Sequence, residues 1–215
     1  MLTVKEVEVF NFPGAIRGMR NPLNSWDKSD SYTDDDGNFV LGENDLNLAK
    51  RLIKAGSDHR KFLRQILVSL DITAPLYWWK EFDTYKVATT ANSTSTMHTL
   101  SKEPILTDAF SLEAKMDEDA EDWMCDVITV VSICEKWRRR FVETKKQDHW
   151  EKLIKILPCG FNQTRTVTLN YEVLRNLYHS RKGHKLREWQ ILRNKIERLP
   201  YGKELICDLE DEECQ

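Results

Sequence analysis

A chain of 215 residues, with 40% hydrophobic and 31% charged residues, is long enough to bury a core and too apolar to be wholly disordered. Its formal net charge of −3 argues against a protein that holds nucleic acid by bulk positive charge, so no DNA partner is expected. No apolar run reaches 18 residues, which excludes a helix that spans a membrane.

The cysteines are odd in number, widely spaced and without a Cys-x-x-Cys pair. This pattern disfavours a zinc knuckle or a redox pair and favours reduced thiols in the cytoplasm. His179 and His184 are spaced poorly for a shared metal ion and have no carboxylate or cysteine at helical spacing nearby. We therefore predict no metal site. The cysteines are Cys125, Cys134, Cys159, Cys207 and Cys214.

The first half of the chain predicts two strands and one helix. Residues 2–10 alternate charged and apolar side chains, as a strand does, and a loop with the turn signal DDDGN follows over residues 14–42. A helix is expected from near Asn44 to Gly56, because glycine is favoured just past a helix end. Apolar residues at every second position over 66–72 then predict a half-buried strand.

The second half is predominantly helical. Pro75 suits the first turn of a helix over residues 75–86, and apolar residues three and four apart predict helix over most of 117–157. A last helical region over 170–199 is expected to break near Gly183. The acidic tail, residues 206–215, is expected to be frayed. The pattern favours one α+β domain over residues 1–215.

Two segments of the first half are candidates for anion binding. Arg17, Arg20 and Lys28 alternate with small polar residues in the long loop, where arginine would supply a forked donor array for phosphate. Asp58–Lys61 lies between a helix end and a strand, and its His59 suits contact with a phosphate or a cofactor. The alternatives are a solvated loop and a structural histidine.

A hydroxyl-rich run follows the aromatic segment around Trp78 and Trp79. Residues 89–96 contain seven hydroxyl or amide side chains, which bind phosphate where a chain enters a helix. The same residues are also favoured in a polar turn before a capped helix. No Ser-His-Asp or Cys-His arrangement is identifiable in the sequence.

The segment over residues 169–189 carries the strongest local anion-binding signal. An apolar stripe from Val173 to Tyr178 predicts one buried helix face. The alternative is a basic face in solvent. Its basic side chains are Arg175, His179, Arg181, Lys182, His184, Lys185 and Arg187.

The order of these segments resembles the flavin-dependent thymidylate synthases over about residues 45–199. The family carries a Gly…His segment before a strand, an Ala-Pro after it, and later a Leu-Asn that opens a helix ending in Leu-x-x-Arg. Here the matching pieces are Gly56 with His59, Ala74-Pro75, Leu169-Asn170, Tyr178 to Arg181, and Arg187-Glu188-Trp189.

The family's arginine-rich signature is largely replaced. Read without gaps, the Arg-Gln-Trp triplet of the family falls on Lys80-Glu81-Phe82 and its Arg-His-Arg on Thr84-Tyr85-Lys86. The motif serine falls on Thr89 and the glutamate on Asn92, while a one-residue shift aligns Asn92 and Ser95 with the motif asparagine and second serine. From the Arg-His-Arg position onward, only Lys86 keeps a cation.

The resemblance implies a fold like that of the thymidylate synthase-complementing proteins, with a mixed sheet and long helices. It implies a homotetramer that binds FAD, a pyrimidine nucleotide and possibly folate, and that methylates dUMP to dTMP if active. It gives FAD-binding positions His59, Arg60, Thr84, Tyr85, Lys86 and Asn92. It gives substrate-binding positions Lys80, Thr94, Ser95, Thr96, Arg175, Arg181 and Arg187.

No catalytic residue is identified by the resemblance. Two alternatives to an active flavin enzyme remain open. One is a catalytically degenerate homo-oligomer that still binds a nucleotide. The other is a structural or interaction protein of the same fold without a small-molecule site.

Overall fold

A computed structural model describes residues 1–112 and 119–208 of the chain. The strands are β1 (Thr3–Phe10), β2 (Tyr32–Thr33), β3 (Phe39–Val40), β4 (Leu67–Pro75), β5 (Thr90–Ser93) and β6 (Asn162–Asn170). The helices are α1 (Phe12–Arg20), α2 (Glu43–Lys54), α3 (Leu76–Phe82), α4 (Thr96–Thr99), α5 (Ala120–Thr144), α6 (Gln147–Ile156), α7 (Tyr171–Ser180) and α8 (Arg187–Ile196).

Four strands form the main sheet in the order β1-β4-β6-β5, and β2 pairs with β3 in a small antiparallel ribbon. The main sheet is antiparallel, whereas the resemblance implies a mixed sheet. On β4 the side chains of Val68, Leu70, Ile72 and Ala74 are buried, so the period-two pattern correctly predicted a strand with one core-facing side. The predicted α+β fold class is confirmed.

The chain divides into two compact units. Unit 1 comprises Met1–Thr3, Ile72–Thr84 and Asn92–Thr166, and unit 2 comprises Val4–Asp71, Tyr85–Ala91 and the chain from Val167. The single domain expected for residues 1–215 stays a prediction.

Unit 2 contains a helix where the sequence predicted only loop. α1 buries Phe12, Ala15, Ile16 and Met19, which recur at helical spacing although Pro13 and two glycines interrupt the pattern. Phe12 stacks on Phe39 at 5.4 Å and meets the rings of Tyr171 and Tyr201 edge-on, each at 5.6 Å. The prediction of a loop over 14–42 is wrong in its first part, because tertiary burial stabilises a helix of poor intrinsic propensity.

The start of α2 is organised by two aspartates. Asp30 accepts hydrogen bonds from the backbone N–H groups of Asn44 and Asp45 at 2.8 and 3.1 Å, so it caps the helix from a distant segment. Asp45 is fully buried. Its carboxylate accepts a hydrogen bond from Arg20 Nε at 2.5 Å. It also accepts from the Ser29 hydroxyl, the Ser31 hydroxyl and the backbone N–H groups of Asp30 and Ser31.

The core of unit 1 combines an aromatic helix with a long helical hairpin. In α3, Trp78, Trp79 and Phe82 are buried and their ring centres lie 4.9–5.3 Å apart. A second cluster packs side chains of α5 and α6 against the segment before them, with Val127, Val131, Cys134 and Leu153 among its buried members. The predicted helical stretch is confirmed, apart from a break at Lys145 and a predicted start at Asp117 that lies outside the described residues.

The end of the described chain is packed. Residues Lys203–Cys207 form one π-helical turn in which Leu205, Ile206 and Cys207 are buried. The expectation of a frayed tail is therefore wrong for 206–208, and the rest of that tail lies outside the described residues.

Burial raises the pKa of the Cys207 thiol to about 12, and it also raises the pKa of the Cys134 thiol. Burial thus disfavours the thiolate, which is the reactive form, at both cysteines.

Across the described ranges, no helix combines the length and the hydrophobicity that a membrane span requires.

Candidate functional site

The predicted site residues fall in both units. Unit 2 contains His59, Arg60, Tyr85, Lys86, Arg175, Arg181 and Arg187, and unit 1 contains Lys80, Thr84, Asn92, Thr94, Ser95 and Thr96.

In unit 2, one cluster joins two of the predicted segments. Arg181, at the end of α7, donates from Nε to the hydroxyl of Tyr85 at 3.0 Å. Its guanidinium carbon lies 4.5 Å from the ring centre of Trp189 and 5.4 Å from that of Tyr85. Trp189 is almost fully buried. We call Tyr85, Arg181 and Trp189 the Arg181 cluster; its stacked arrangement holds the cation in one orientation.

Exposed basic side chains flank the Arg181 cluster in the sequence. Lys86 follows Tyr85 directly, and Arg187 begins α8 two residues before Trp189. Lys182 and Lys185 are exposed on the turn between α7 and α8. This part of unit 2 is therefore suited to an anion, as the basic pattern over 169–189 predicts.

Arg175 has a different environment from the other predicted cations. It is buried, and its Nη1 donates to the carbonyl oxygen of Ile206 at 2.9 Å and to Asp208 Oδ1 at 2.7 Å. Its Nη2 donates to Asp208 Oδ2. His179 Nε2 lies 3.0 Å from the same carbonyl oxygen. Both terminal nitrogens of the guanidinium thus donate to Asp208, and a substrate-binding role for Arg175 requires Asp208 to leave.

His59 and Arg60 are adjacent in sequence but have different environments. His59 is exposed and lines a cavity of about 670 Å³, with Asp58, Lys61 and Gln65 among its polar neighbours. Arg60 donates from Nε to both carboxylate oxygens of Glu172, at 3.1 and 2.9 Å. The cavity is large enough for a small-molecule ligand, and it is His59, not Arg60, that lines it.

In unit 1 the hydroxyl-rich run forms the edge of the sheet. Thr94 donates from its backbone nitrogen to the carbonyl oxygen of Thr164 at 2.8 Å, and Gln163 Nε2 donates to the carbonyl oxygen of Thr94 at 2.9 Å. Asn92 is exposed on β5, and Ser95 and Thr96 are half-buried at the start of the four-residue α4. Both the sheet edge and the short helix explain these side chains without a ligand.

The two remaining predicted residues of unit 1 belong to α3 and its end. Lys80 is exposed, and its ammonium donates to the Cys159 thiol at 3.4 Å. Thr84 donates from its hydroxyl to the carbonyl oxygen of Glu81 at 2.8 Å, which closes the last turn of the helix. Thr84 thus has a structural role already, while Lys80 keeps an exposed cation.

Trp189 and Arg51 were not among the site residues predicted from the sequence. Trp189 follows Arg181 across the break at Gly183, so no helical period links them. Arg51 lines a second cavity with Leu48 and Asn44. Its spacing of three and seven residues from these two was a readable signal, because such residues share one face of a helix. No group of three or more potential metal ligands occurs within residues 1–112 and 119–208.

No family model matches the sequence, and none of the curated proteins matches it. Solved structures do match in fold. The flavin-dependent thymidylate synthase ThyX from Helicobacter pylori, complexed with FAD and dUMP, is 18% identical with a TM-score of 0.67, over 96% of this chain and 100% of that chain. A second Helicobacter pylori ThyX structure with FAD and dUMP is 20% identical with a TM-score of 0.70, over 95% and 98%.

A related match is the UMP/dUMP methylase PolB from Streptomyces cacaoi bound with 5-Br dUMP. It is 12% identical with a TM-score of 0.66, over 92% of this chain and 88% of that chain. The resemblance stated from the sequence is confirmed at the level of the fold: the chain has a fold similar to the flavin-dependent thymidylate synthases.

Proposed function

We propose that this chain is a divergent protein of the flavin-dependent thymidylate synthase type, which binds FAD and a pyrimidine nucleotide as a cytoplasmic homotetramer and methylates dUMP to dTMP. The observation that carries the proposal is the contact between Arg181 and Tyr85, at 3.0 Å. It joins a residue predicted to bind substrate to one predicted to bind FAD, in a fold whose solved examples from Helicobacter pylori are complexed with both FAD and dUMP.

The residues of the Arg181 cluster suit a phosphate-bearing ligand. A guanidinium held over Trp189 offers a preorganised cation for a nucleotide or flavin phosphate. Lys86 and Arg187 are exposed and add charge for the pyrophosphate of FAD. Bound FAD would supply the hydride that reduces a transferred one-carbon unit, which is the chemistry of the cofactor itself. The role of the protein is to bind and orient the ligands.

The lost signature arginines weaken the nucleotide site. A charge-assisted hydrogen bond contributes about 1.5–3 kcal/mol, so losing two or three without replacement weakens binding by about two to six orders of magnitude. Arg20, Arg60 and Arg175 are each engaged by a carboxylate. Candidates for compensation within a homotetramer are Arg17, His59, Lys86, Arg181 and Arg187.

A second candidate function is a homo-oligomer that binds a nucleotide without methylating it. The pairing of Arg175 with Asp208 favours this candidate, because a cation expected to bind substrate is occupied by the protein's own carboxylate. The two candidates differ in whether flavin is retained and whether dUMP is converted.

The first experiment is an absorbance spectrum of freshly purified protein, repeated after FAD is added and the excess removed. A retained band at about 450 nm, expected from the flavin chemistry, supports FAD binding. Conversion of dUMP by the loaded protein then supports the proposed enzyme activity. A colourless protein that still binds dUMP supports the second candidate. A protein that binds neither contradicts both.

The Arg181→Ala variant tests the site itself. We expect dUMP binding to weaken at least tenfold, because the held cation is lost, while Lys195→Ala, which removes an exposed cation of α8, leaves binding unchanged. Equal affinities for wild type and Arg181→Ala by titration calorimetry would remove the Arg181 cluster from the nucleotide site.

A further inference from the structure

We infer that unit 2 contains a separate site for a phosphate monoester, in a cavity of about 510 Å³ beside α2. Its lining combines three cationic side chains, Arg20, Lys28 and Arg51, with the apolar side chains of Leu23 and Leu48, and it includes no carboxylate. The inference goes beyond the proposed function, because none of these residues belongs to the predicted FAD or nucleotide positions.

Arg20 provides a fixed donor in this cavity. Its side chain is 4% exposed, its Nε is held by Asp45 at 2.5 Å, and its Nη1 donates to the carbonyl oxygen of Ser25 at 3.2 Å. Among the described residues Nη2 has no hydrogen-bond partner. Since the guanidinium is planar and two of its nitrogens are anchored, the direction of the third is also set, which lowers the entropy cost of binding an anion.

Lys28 and Arg51 provide the net positive charge. Asp45 neutralises Arg20, but neither Lys28 nor Arg51 forms an ion pair with any described side chain, and both are exposed. A phosphate group with two negative charges matches two exposed cations beside one fixed donor. Charge-assisted hydrogen bonds of this kind are shorter and stronger than neutral ones.

The apolar part of the lining indicates a ligand with an organic body. The cavity is much larger than a single phosphate group needs, and Leu23 is 83% exposed at its edge. Leu23, Ser25 and Leu48 also line the neighbouring cavity of about 670 Å³. An apolar or aromatic group attached to the phosphate would cover Leu23 and Leu48, and this burial would add to the affinity.

Titration calorimetry with phenyl phosphate, inorganic phosphate and phenol tests the site at low ionic strength. We expect phenyl phosphate to bind more tightly than inorganic phosphate and phenol not to bind. Equal affinity for phenyl phosphate and inorganic phosphate would contradict the inference that the ligand has an organic body. Failure of both anions to bind to the wild-type protein would overturn the site.

Two single substitutions locate the binding. Arg51→Ala and Lys28→Ala are each expected to weaken phenyl phosphate at least tenfold, whereas Lys54→Ala, which removes the same charge from an exposed position on α2 outside the cavity lining, changes the affinity less than twofold. An equal loss with Lys54→Ala would show general charge attraction and contradict a defined site. Circular dichroism checks that each variant is folded.

The flavin readout keeps the two proposals distinguishable. Arg51→Ala is expected to retain as much FAD as the wild type while losing phenyl phosphate. If FAD and phenyl phosphate are lost together, the cavity belongs to the flavin or nucleotide site and the inference of a separate site fails.

Discussion

The fate of single charged residues depends on partners that are distant in sequence. Arg175 has the position expected of a substrate-binding arginine, yet it is tied to Asp208, 33 residues later. Arg20 was predicted to lie in a loop, and it is a buried residue of α1 whose Nε pairs with Asp45. Sequence identifies such residues as important but cannot say which carboxylate reaches them, because the pairing is set by tertiary packing.

Asp45 is a fully buried carboxylate of unit 2 that pairs with Arg20. Burial works to raise its pKa, but hydrogen bonds from Ser31, Ser29 and Arg20 outweigh burial and lower that pKa. We expect Asp45→Asn to reduce the free energy of unfolding by about 3–5 kcal/mol, because Arg20 is left as an uncompensated buried charge. Urea unfolding measures this loss.

The matched control for Asp45→Asn is Glu43→Gln, which removes an exposed carboxylate from the first turn of the same helix. Its effect is expected to stay within about 0.5 kcal/mol. Similar losses in the two variants would mean that the charge of the helix terminus, and not the buried pair, provides the stabilisation.

Glu135 gives unit 1 a defined sensitivity to acid. Hydrogen bonds from Arg138, from the backbone of Ile105 and from Arg139 lower the pKa of Glu135 to about 2, against the opposing effect of burial. A lowered pKa contributes stability that is present above the ordinary glutamate value of 4.5 and is lost as the pH falls toward 2. The contribution is on the order of 3 kcal/mol.

We therefore expect Glu135→Gln to be less stable than the wild type at about pH 7. We also expect it to lose less stability than the wild type between about pH 5 and about pH 3. Denaturant unfolding at these three pH values provides the measurement. The control is Glu143→Gln on the same helix, where Glu143 is exposed. A wild-type pH dependence that persists in Glu135→Gln would place the acid sensitivity elsewhere.

At the level of elements, sequence predicted those whose apolar period is uninterrupted. β1, α2, β4, the long helices and the break near Gly183 were all readable from spacing. α1 was missed because Pro13, Gly14 and Gly18 look like a loop. β6 was missed because Val167 and Leu169 are its only fully buried apolar side chains, and its neighbours in the sheet cannot be seen locally.

The end of α5 offers a test of how backbone conformation sets a helix boundary. Lys145 has φ 54°, in the left-handed region, and its N–H donates to the carbonyl oxygen of Phe141. We expect Lys145→Gly to raise the free energy of unfolding by about 0.5–1 kcal/mol, because glycine adopts this conformation without a steric cost. Thermal and urea unfolding both report the gain.

Lys146→Gly is the control for the helix boundary. Lys146 has φ −75° and ψ 125°, an extended conformation that any residue adopts, so glycine there only adds freedom to the unfolded chain. A loss of about 0.5 kcal/mol is expected. Stabilisation by both glycines would point to relief of the lysine charges and not to the left-handed conformation.

For the whole molecule, the resemblance predicted the fold better than the site. The order of segments was enough to indicate an architecture that solved structures share over 88–100% of their own length. Site chemistry is less transferable, because a fold tolerates the exchange of an arginine for a threonine while a phosphate-binding site does not. Among the described residues, the hydrogen bond from Arg181 to Tyr85 links two predicted positions that are distant in sequence and lie within one unit.

The proposed homotetramer requires an apolar surface that another copy of the chain can cover. On α5, Met124 and Ile128 lie one turn apart and are 50% and 52% exposed, and covering such side chains contributes about 25 cal/mol for each Å² buried. We expect light scattering to give four times the 25.3 kDa of the chain and Ile128→Asp to lower that mass. Leu106→Asp, at an equally exposed leucine outside α5, should keep it. A wild-type mass of one chain at every concentration would contradict the homotetramer, and equal dissociation by both variants would remove α5 from the interface.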